Sequence, residues 1–173
     1  MSGRKRYTGK PVRESSSLSQ ERFTYKKDRH TEHYLQDISE DYMITQKHIL
    51  AAFGQLQTIA GPGAPVCACV TDEHGFILGY TQMDGMSSRA FTMARAKAYT
   101  AARMGQKTVD FHARLVSENL SLADFGDALM TSVQGGVPVT DKNGIVIGGV
   151  AVSGRRPEED EHAACRLAAL LVD

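Results

Sequence analysis

Residues 135–154 read GGVPVTDKNGIVIGGVAVSG and predict a β-hairpin. Two runs rich in valine and isoleucine, at 137–140 and 145–152, suit packed strands, and the turn between them contains Asn143-Gly144. Glycines bracket the hairpin at both ends and interrupt its second strand. So many glycines around few apolar residues indicate a backbone that a helix, another chain or a ligand approaches closely.

A second hairpin is predicted upstream because its turn repeats the first. Residues 70–79 read VTDEHGFILG, and residues 139–148 read VTDKNGIVIG. The strands of this second hairpin are expected at 66–71 and 76–80. Tight hairpins join antiparallel neighbours, so the repeat favours an α+β layered domain over a parallel, doubly wound one.

Apolar residues at helical spacing predict the other elements. One of the expected helices, at 88–104, is rich in alanine between Ala90 and Ala102 and can therefore lie close to a sheet. A further short strand is expected at 130–133, leading into the hairpin. The helices are expected at about 45–60, 88–104, 108–117, 121–130 and from Pro157 to the end of the chain.

Charge divides the chain into a basic arm, 1–42, and a domain, 43–173. Residues 1–30 carry nine Lys and Arg against three acidic residues, although the whole chain has a formal net charge of zero. The arm has few aromatic residues among its basic ones, so nucleic acid is an unfavoured partner. We expect the arm to be solvated or to pack on the acidic remainder of its own or a neighbouring subunit.

Composition excludes several classes of protein. No apolar run is long enough to span a membrane, so no membrane partner is expected. Three cysteines, an odd number, fit a reducing compartment, and the expected location is the cytoplasm. Cys67 and Cys69 would share one strand face as packing thiols. P-loop, dinucleotide, GxSxG and metal-binding motifs are missing from the sequence.

Lys97 is the first candidate site residue because it lies in the small-residue helix AKAYTAA. A charge on the packed side of that helix would be costly without a partner, and Asp84 and Asp160 are the candidates. Arg89 lies two turns before Lys97 on roughly the same face, so the pair could clamp an anion. Thr100 could line the same pocket.

A glycine-rich turn supplies the second group of candidates. Ser153-Gly154 leads into the N-terminus of the last predicted helix, where backbone N–H groups could surround an anion. A simple tight turn explains the same residues equally well. His162, close to this turn, is a candidate general base or ligand of a haem iron.

Four segments of the chain resemble the GlcG/HbpS family, also called the domain of unknown function 336 family. They are QMDG (82–85), ARAKAYTAARMG (94–105), GGVPV (135–139) and GGVAVSGRRPEEDEHAA (148–164). They occur in the family's order, and the resemblance covers about residues 43–173. The family includes the C-terminal domain of PduO-type corrinoid adenosyltransferases.

The resemblance implies a profilin-like fold, with a five-stranded antiparallel sheet flanked by helices. It also implies homo-oligomers, from dimers to octamers, that bind haem or another small ligand. Gln82 stands where relatives tend to have arginine, and the basic arm is not a general family feature. The family motifs coincide with Asp84, Lys97, Thr100, Gly135, Gly136, Pro138, Gly154 and Asp160.

Three hypotheses about function remain open at this point. The first is an oligomeric protein that binds haem or an anionic metabolite, with Arg89, Lys97 and the glycine-rich turns at the ligand. The alternative is an enzyme without an organic cofactor, a lyase, isomerase or hydrolase acting on a small carboxylate, aromatic ones included. Its catalytic groups would be Lys97, His162 and Asp84. The third hypothesis is a structural role, as a small oligomeric partner whose arm docks on another protein.

Overall fold

Four antiparallel strands form one sheet in residues 43–172, the part of the chain that the computed structural model describes. They are β1 (Cys67–Asp72), β2 (Ile77–Gln82), β3 (Gly136–Thr140) and β4 (Val146–Ser153), in the order β2-β1-β4-β3. The α+β class and both hairpins are therefore confirmed. The predicted arm, 1–42, lies outside the described residues.

Within residues 43–172 the sheet has four strands, not the five that the resemblance implies. The predicted strand at 130–133 does not form, because side-chain hydroxyls take the N–H groups that a neighbouring strand would need. The N–H of Thr131 donates to Oγ1 of Thr100 at 2.9 Å, and the N–H of Val133 donates to Oγ1 of Thr131 at 3.2 Å. This segment instead fixes the approach to β3.

The sequence repeat is a repeat of structure. In each turn, Oδ1 of the first aspartate accepts hydrogen bonds from the N–H groups two and four residues later, and the closing glycine has a positive φ. Both hairpins also change register beside the turn, between Val70 and Thr71 and between Val139 and Thr140. In the first turn Asp72 accepts from His74 and Phe76, and Gly75 has the positive φ. In the second turn Asp141 accepts from Asn143 and Ile145, and Gly144 has the positive φ.

Five helices accompany the sheet: α1 (Gln46–Gly54), α2 (Leu56–Ala60), α3 (Ser88–Met104), α4 (Thr108–Glu118) and α5 (Pro157–Ala168). The predicted helix at 45–60 is interrupted at Gln55. The predicted helix at 121–130 is only a 3₁₀ turn, Leu122–Phe125, because Gly126 turns the chain with a φ of 64°. In this described part, none of the helices is both long and apolar enough to cross a membrane.

Helix α3 lies directly on one face of the sheet. Its alanines Ala90, Ala94 and Ala98 form a buried cluster with Cys67 and Cys69 of β1, which confirms that the two thiols share a face. Gly136 and Gly149 lie under the helix, where an added Cβ would meet the main-chain carbonyls of Lys97 and Ala98. These glycines therefore set the distance between helix and sheet.

The opposite face carries the larger core. Alternate strand residues such as Val70 and Val150 point away from α3, since successive strand residues face opposite sides. They pack with Ile49 of α1 and with Leu167 of α5. Helices α3 and α5 thus lie on opposite faces of one sheet.

Candidate functional site

A cleft of about 490 Å³ opens at the end of β4, beside the first turns of α3 and α5. The loop before β1 forms its other wall through Ala64 and Pro65. Five of the side chains or turns expected at the site line this cleft, namely Arg89, Lys97, Ser153, Gly154 and Asp160.

Lys97 and Asp160 form a buried ion pair at the floor of the cleft. The side chains of both residues are 3% exposed, and Nζ of Lys97 donates to Oδ2 of Asp160 at 3.0 Å. Nζ also donates to the carbonyl oxygen of Val152 at 3.1 Å. Of the two candidate partners of Lys97, the structure selects Asp160.

The turn at the start of α5 already holds an anion, which is the carboxylate of Asp160. Its Oδ1 accepts the N–H of Arg155 at 3.0 Å. Burial raises the pKa of the Asp160 carboxyl, while the ammonium of Lys97 and the backbone N–H groups of Arg155 and Gly154 oppose that rise. The sequence predicted an anion at this turn or a tight turn alone, and here the protein supplies the anion itself.

Gly135 lies against this ion pair from the side of β3. Its φ is 120°, and a Cβ added there would lie 2.7 Å from Nζ of Lys97 and 3.0 Å from Cβ of Asp160. A side chain would therefore push the two charged groups from their positions. Gly135 contributes to the site by leaving space for the pair, not by lining the cleft.

Arg155 is a cleft residue that the sequence analysis did not single out. Its guanidinium donates to the carbonyl oxygens of Gly61 at 2.9 Å and of Ala64 at 2.8 Å, and also to that of Ala60. These acceptors lie more than 90 residues earlier in the chain. The only local hint was an arginine between a glycine and the first proline of a helix.

Arg89 differs from the other two cations of the cleft. Within residues 43–172, no hydrogen-bond acceptor or carboxylate contacts its guanidinium. Near it, Met86, Met93 and Pro65 add apolar surface to the same cleft. Among the described residues, the cleft therefore offers one positive charge without a partner, beside apolar side chains.

Three other expected site residues do not line this cleft. Oγ1 of Thr100 donates to the carbonyl oxygen of Ala96 at 2.8 Å and accepts the N–H of Thr131, so it holds the segment before β3. Gly136 donates its N–H to Oγ1 of Thr108 at 3.0 Å. Pro138 lies in β3, paired with Gly149 of β4.

Asp84 and His162 line two further clefts. Asp84 borders a cleft of about 560 Å³ beside Met83 and Gln57. His162 borders one of about 340 Å³ with Glu158 and Glu159, and Arg155 lies between that cleft and the first. The three proposed catalytic groups, Lys97, His162 and Asp84, are therefore not brought together.

No group of three or more His, Cys, Asp or Glu side chains suitable for a metal ion occurs in the described range. The free thiols Cys67 and Cys69 are buried under α3, and Cys165 on α5 is partly exposed. Burial raises the pKa of Cys67, and it raises that of Cys69 to about 12. Both strand thiols are therefore protonated packing groups at neutral pH.

The fold and this cleft define an α+β class of domain, in which a helix-covered antiparallel sheet carries a cleft at one end. Residues 41–169 match the family model described as haem degrading protein HbpS-like. The chain therefore belongs to the HbpS-like family, which confirms the resemblance seen in the sequence.

Solved structures share the fold. A PduOC:heme complex is 22% identical, with a TM-score of 0.65, and the match covers 74% of this chain and 94% of that one. A double mutant of HbpS from Streptomyces reticuli is 21% identical, with a TM-score of 0.67 and coverage of 96% and 100%. The protein ORFY of Klebsiella pneumoniae, also assigned to domain of unknown function 336, is 25% identical, with a TM-score of 0.58 and coverage of 70% and 88%. No curated protein sequence matches significantly.

Proposed function

We propose that this protein binds haem or a similar flat, anionic small molecule in the cleft beside Arg89. The observation that carries the proposal is the guanidinium of Arg89, which has no partner within residues 43–172, in the same cleft as the apolar side chains of Met86 and Met93. A guanidinium binds a carboxylate through two parallel hydrogen bonds, and the apolar wall suits a ring. The haem complex of a related fold supports the choice of ligand.

The cleft fits the carboxylate and the ring of a haem better than it fits the iron. Arg89 would hold a propionate, and Pro65 and Met93 would contact the ring. The sulfur atoms of Met86 and Met93 are the iron-ligating atoms that the cleft offers, since methionine serves as an axial ligand in some haem proteins. His162 stays the candidate ligand for iron in the neighbouring cleft.

The geometry supports binding more than the alternative enzyme activity. Lys97 already donates to Asp160 and to Val152, so its ammonium has two partners inside the protein. His162 and Asp84 border different clefts. A general acid or base must lie within hydrogen-bond reach of the group it serves, and the three residues do not converge on one position.

We also propose that the protein is a homo-oligomer in a reducing compartment. Within residues 43–172, β2 is at one edge of the sheet. It begins with Ile77, which is 42% exposed, directly after Phe76, which is 71% exposed. Exposed apolar side chains beside an open strand edge favour association. The three free cysteines support a reducing location such as the cytoplasm. Light scattering that gives only the monomer mass would reject the oligomer.

A hemin titration followed by absorbance tests the proposed ligand. The wild-type protein should give a saturable shift of the Soret band. Arg89→Ala should weaken binding about tenfold, since a charge-assisted hydrogen bond contributes on the order of 1.5–3 kcal/mol. Arg95→Ala is the matched control, because Arg95 lies on the same helix, is exposed and does not line this cleft. A titration without saturation, or equal effects of the two substitutions, would reject the proposal.

A further inference from the structure

We propose that Arg155 is a positioning residue, which fastens the loop 60–64 as one wall of the cleft and contributes no charge to the ligand. This inference deepens the proposed function, because the wall belongs to the ligand cleft. It separates the roles of two arginines that border the same space. Arg89 would contact the ligand, and Arg155 would act through the loop.

Hydrogen bonds to the loop use three of the five N–H donors of the Arg155 guanidinium, one on each nitrogen. Nε, Nη1 and Nη2 each donate to a different carbonyl oxygen, those of Ala64, Ala60 and Gly61. A planar guanidinium presents its donors in a fixed fork, so one side chain can hold three carbonyls only when the loop has one particular shape. Each nitrogen of the guanidinium is thereby bound to the loop.

The loop is built to accept this arginine. It contains Gly61 with a φ of 64° and Gly63 with a φ of 138°, backbone angles that residues other than glycine rarely adopt. A Cβ added at Gly63 would lie 3.1 Å from Cζ of Arg155. The backbone at Gly63 therefore lies directly on the guanidinium.

Arg155 is itself held from below by the buried ion pair. Its N–H donates to Oδ1 of Asp160, and Oδ2 of that carboxylate accepts from Lys97. A continuous set of hydrogen bonds thus runs from α3 through the start of α5 to the loop before β1. The ion pair at the floor of the cleft and the loop that forms its wall are therefore linked by hydrogen bonds.

The same side chain separates two cavities. Arg155 lines both the 490 Å³ cleft with Arg89 and the 340 Å³ cleft with His162. The side chain that fastens the loop is therefore also part of the lining of each cleft.

Hydrogen exchange of the ligand-free protein tests the positioning role directly. Arg155→Met and Arg155→Lys should speed exchange of the amide of Gly61, which donates to the carbonyl oxygen of Gln57 at 3.0 Å. For Arg155→Met we expect about a tenfold increase, which corresponds to about 1.4 kcal/mol. Lysine should restore part of the protection, since it can donate to one of the carbonyls. Arg166→Met is the control, because Arg166 donates to the neighbouring carbonyl of Ile59 at 3.4 Å and does not line the cleft. Unchanged exchange in Arg155→Met would overturn the inference.

Hemin titrations at several salt concentrations separate positioning from direct charge contact. Arg155→Met should lower affinity about tenfold while keeping the wild-type dependence on salt, whereas Arg89→Ala should reduce that dependence. Equal loss of salt dependence in both variants would show that Arg155 contacts the ligand, and the inference would be wrong. If hemin does not bind to wild-type protein, the proposed function fails, but the exchange experiment still decides the role of Arg155.

Discussion

Lys97 of α3 and Asp160 of α5 come from helices on opposite faces of the sheet, yet their Nζ and Oδ2 atoms lie 3.0 Å apart. The two side chains meet at the end of β4, where Gly135 leaves room for them. It joins the two helical layers at the floor of the cleft, so fold stability and site geometry depend on the same two charges.

Removal of one partner of this pair should destabilise the protein strongly. Lys97→Met leaves a buried carboxylate without its counter-charge, and we expect the free energy of unfolding to fall by about 3–5 kcal/mol. Urea denaturation measures the loss. Lys107→Met is the control, since Lys107 is 40% exposed in its pair with Glu161 and should cost at most about 1 kcal/mol. Similar losses in both variants would contradict the importance of the buried pair.

Gly149→Ala should also destabilise the protein, by about 3 kcal/mol, because the new methyl group meets the main chain of α3 at Ala98. Thermal unfolding checks this. Gly54→Ala provides the comparison, since no atom lies within 4 Å of the added Cβ. That substitution should be neutral or stabilise α1 by about 0.5–1 kcal/mol. A neutral Gly149→Ala would mean that α3 can move away from the sheet at little cost.

The hydrogen bond between Tyr99 and Asp127 should make stability depend on pH. The hydroxyl of Tyr99 donates to Oδ2 of Asp127 at 2.6 Å, and this bond, with the N–H of Leu129, holds the pKa of Asp127 below its usual value. A lowered carboxyl pKa contributes stability that is present above the unfolded-state pKa of 3.8 and disappears as pH falls through the folded-state value.

Tyr99→Phe should therefore cost about 1 kcal/mol at pH 7 and clearly less near pH 2. Chemical denaturation at the two pH values measures the difference. Tyr80→Phe is the control because its hydroxyl donates to the neutral side chain of Gln82 at 2.7 Å, so its cost should not change over this range. A cost of Tyr99→Phe that stays constant down to pH 2 would exclude the charge of Asp127 as its cause.

The three thiols should differ sharply in reactivity. Cys67 and Cys69 are fully buried, and burial raises the pKa of Cys69 to about 12, so neither should react in the folded protein near pH 8. Cys165 is partly exposed and should react with a thiol reagent such as DTNB. We expect one fast equivalent in native protein and three after denaturation. Three fast equivalents without denaturant would show that α3 separates readily from β1.

Local chemistry made the hairpins predictable from sequence. An apolar run and an Asp-x-x-Gly turn occur in each, and the strands form within one or two residues of the expected bounds. The helix expected at 121–130 failed for an equally local reason. Ser121 does begin a turn, with Asp124 as its capping partner, but Gly126 ends it after four residues.

The site was only partly predictable. Lys97 stood out because a charge in an alanine-rich helix requires a partner, and Asp160 was among the candidates. Arg155 did not stand out, since its acceptors are main-chain carbonyls whose position depends on the packing of the whole fold. The roles of the cleft residues toward a ligand remain predictions.

The carboxylate of Asp160 at the start of α5 affects how the cleft would bind a ligand. Because the protein provides its own counter-ion for that turn, the turn is assembled before any molecule arrives. A preorganised receptor loses little conformational entropy on association. The empty protein should accordingly be as well ordered at residues 153–160 as the loaded one, and release of the guest should leave the architecture intact.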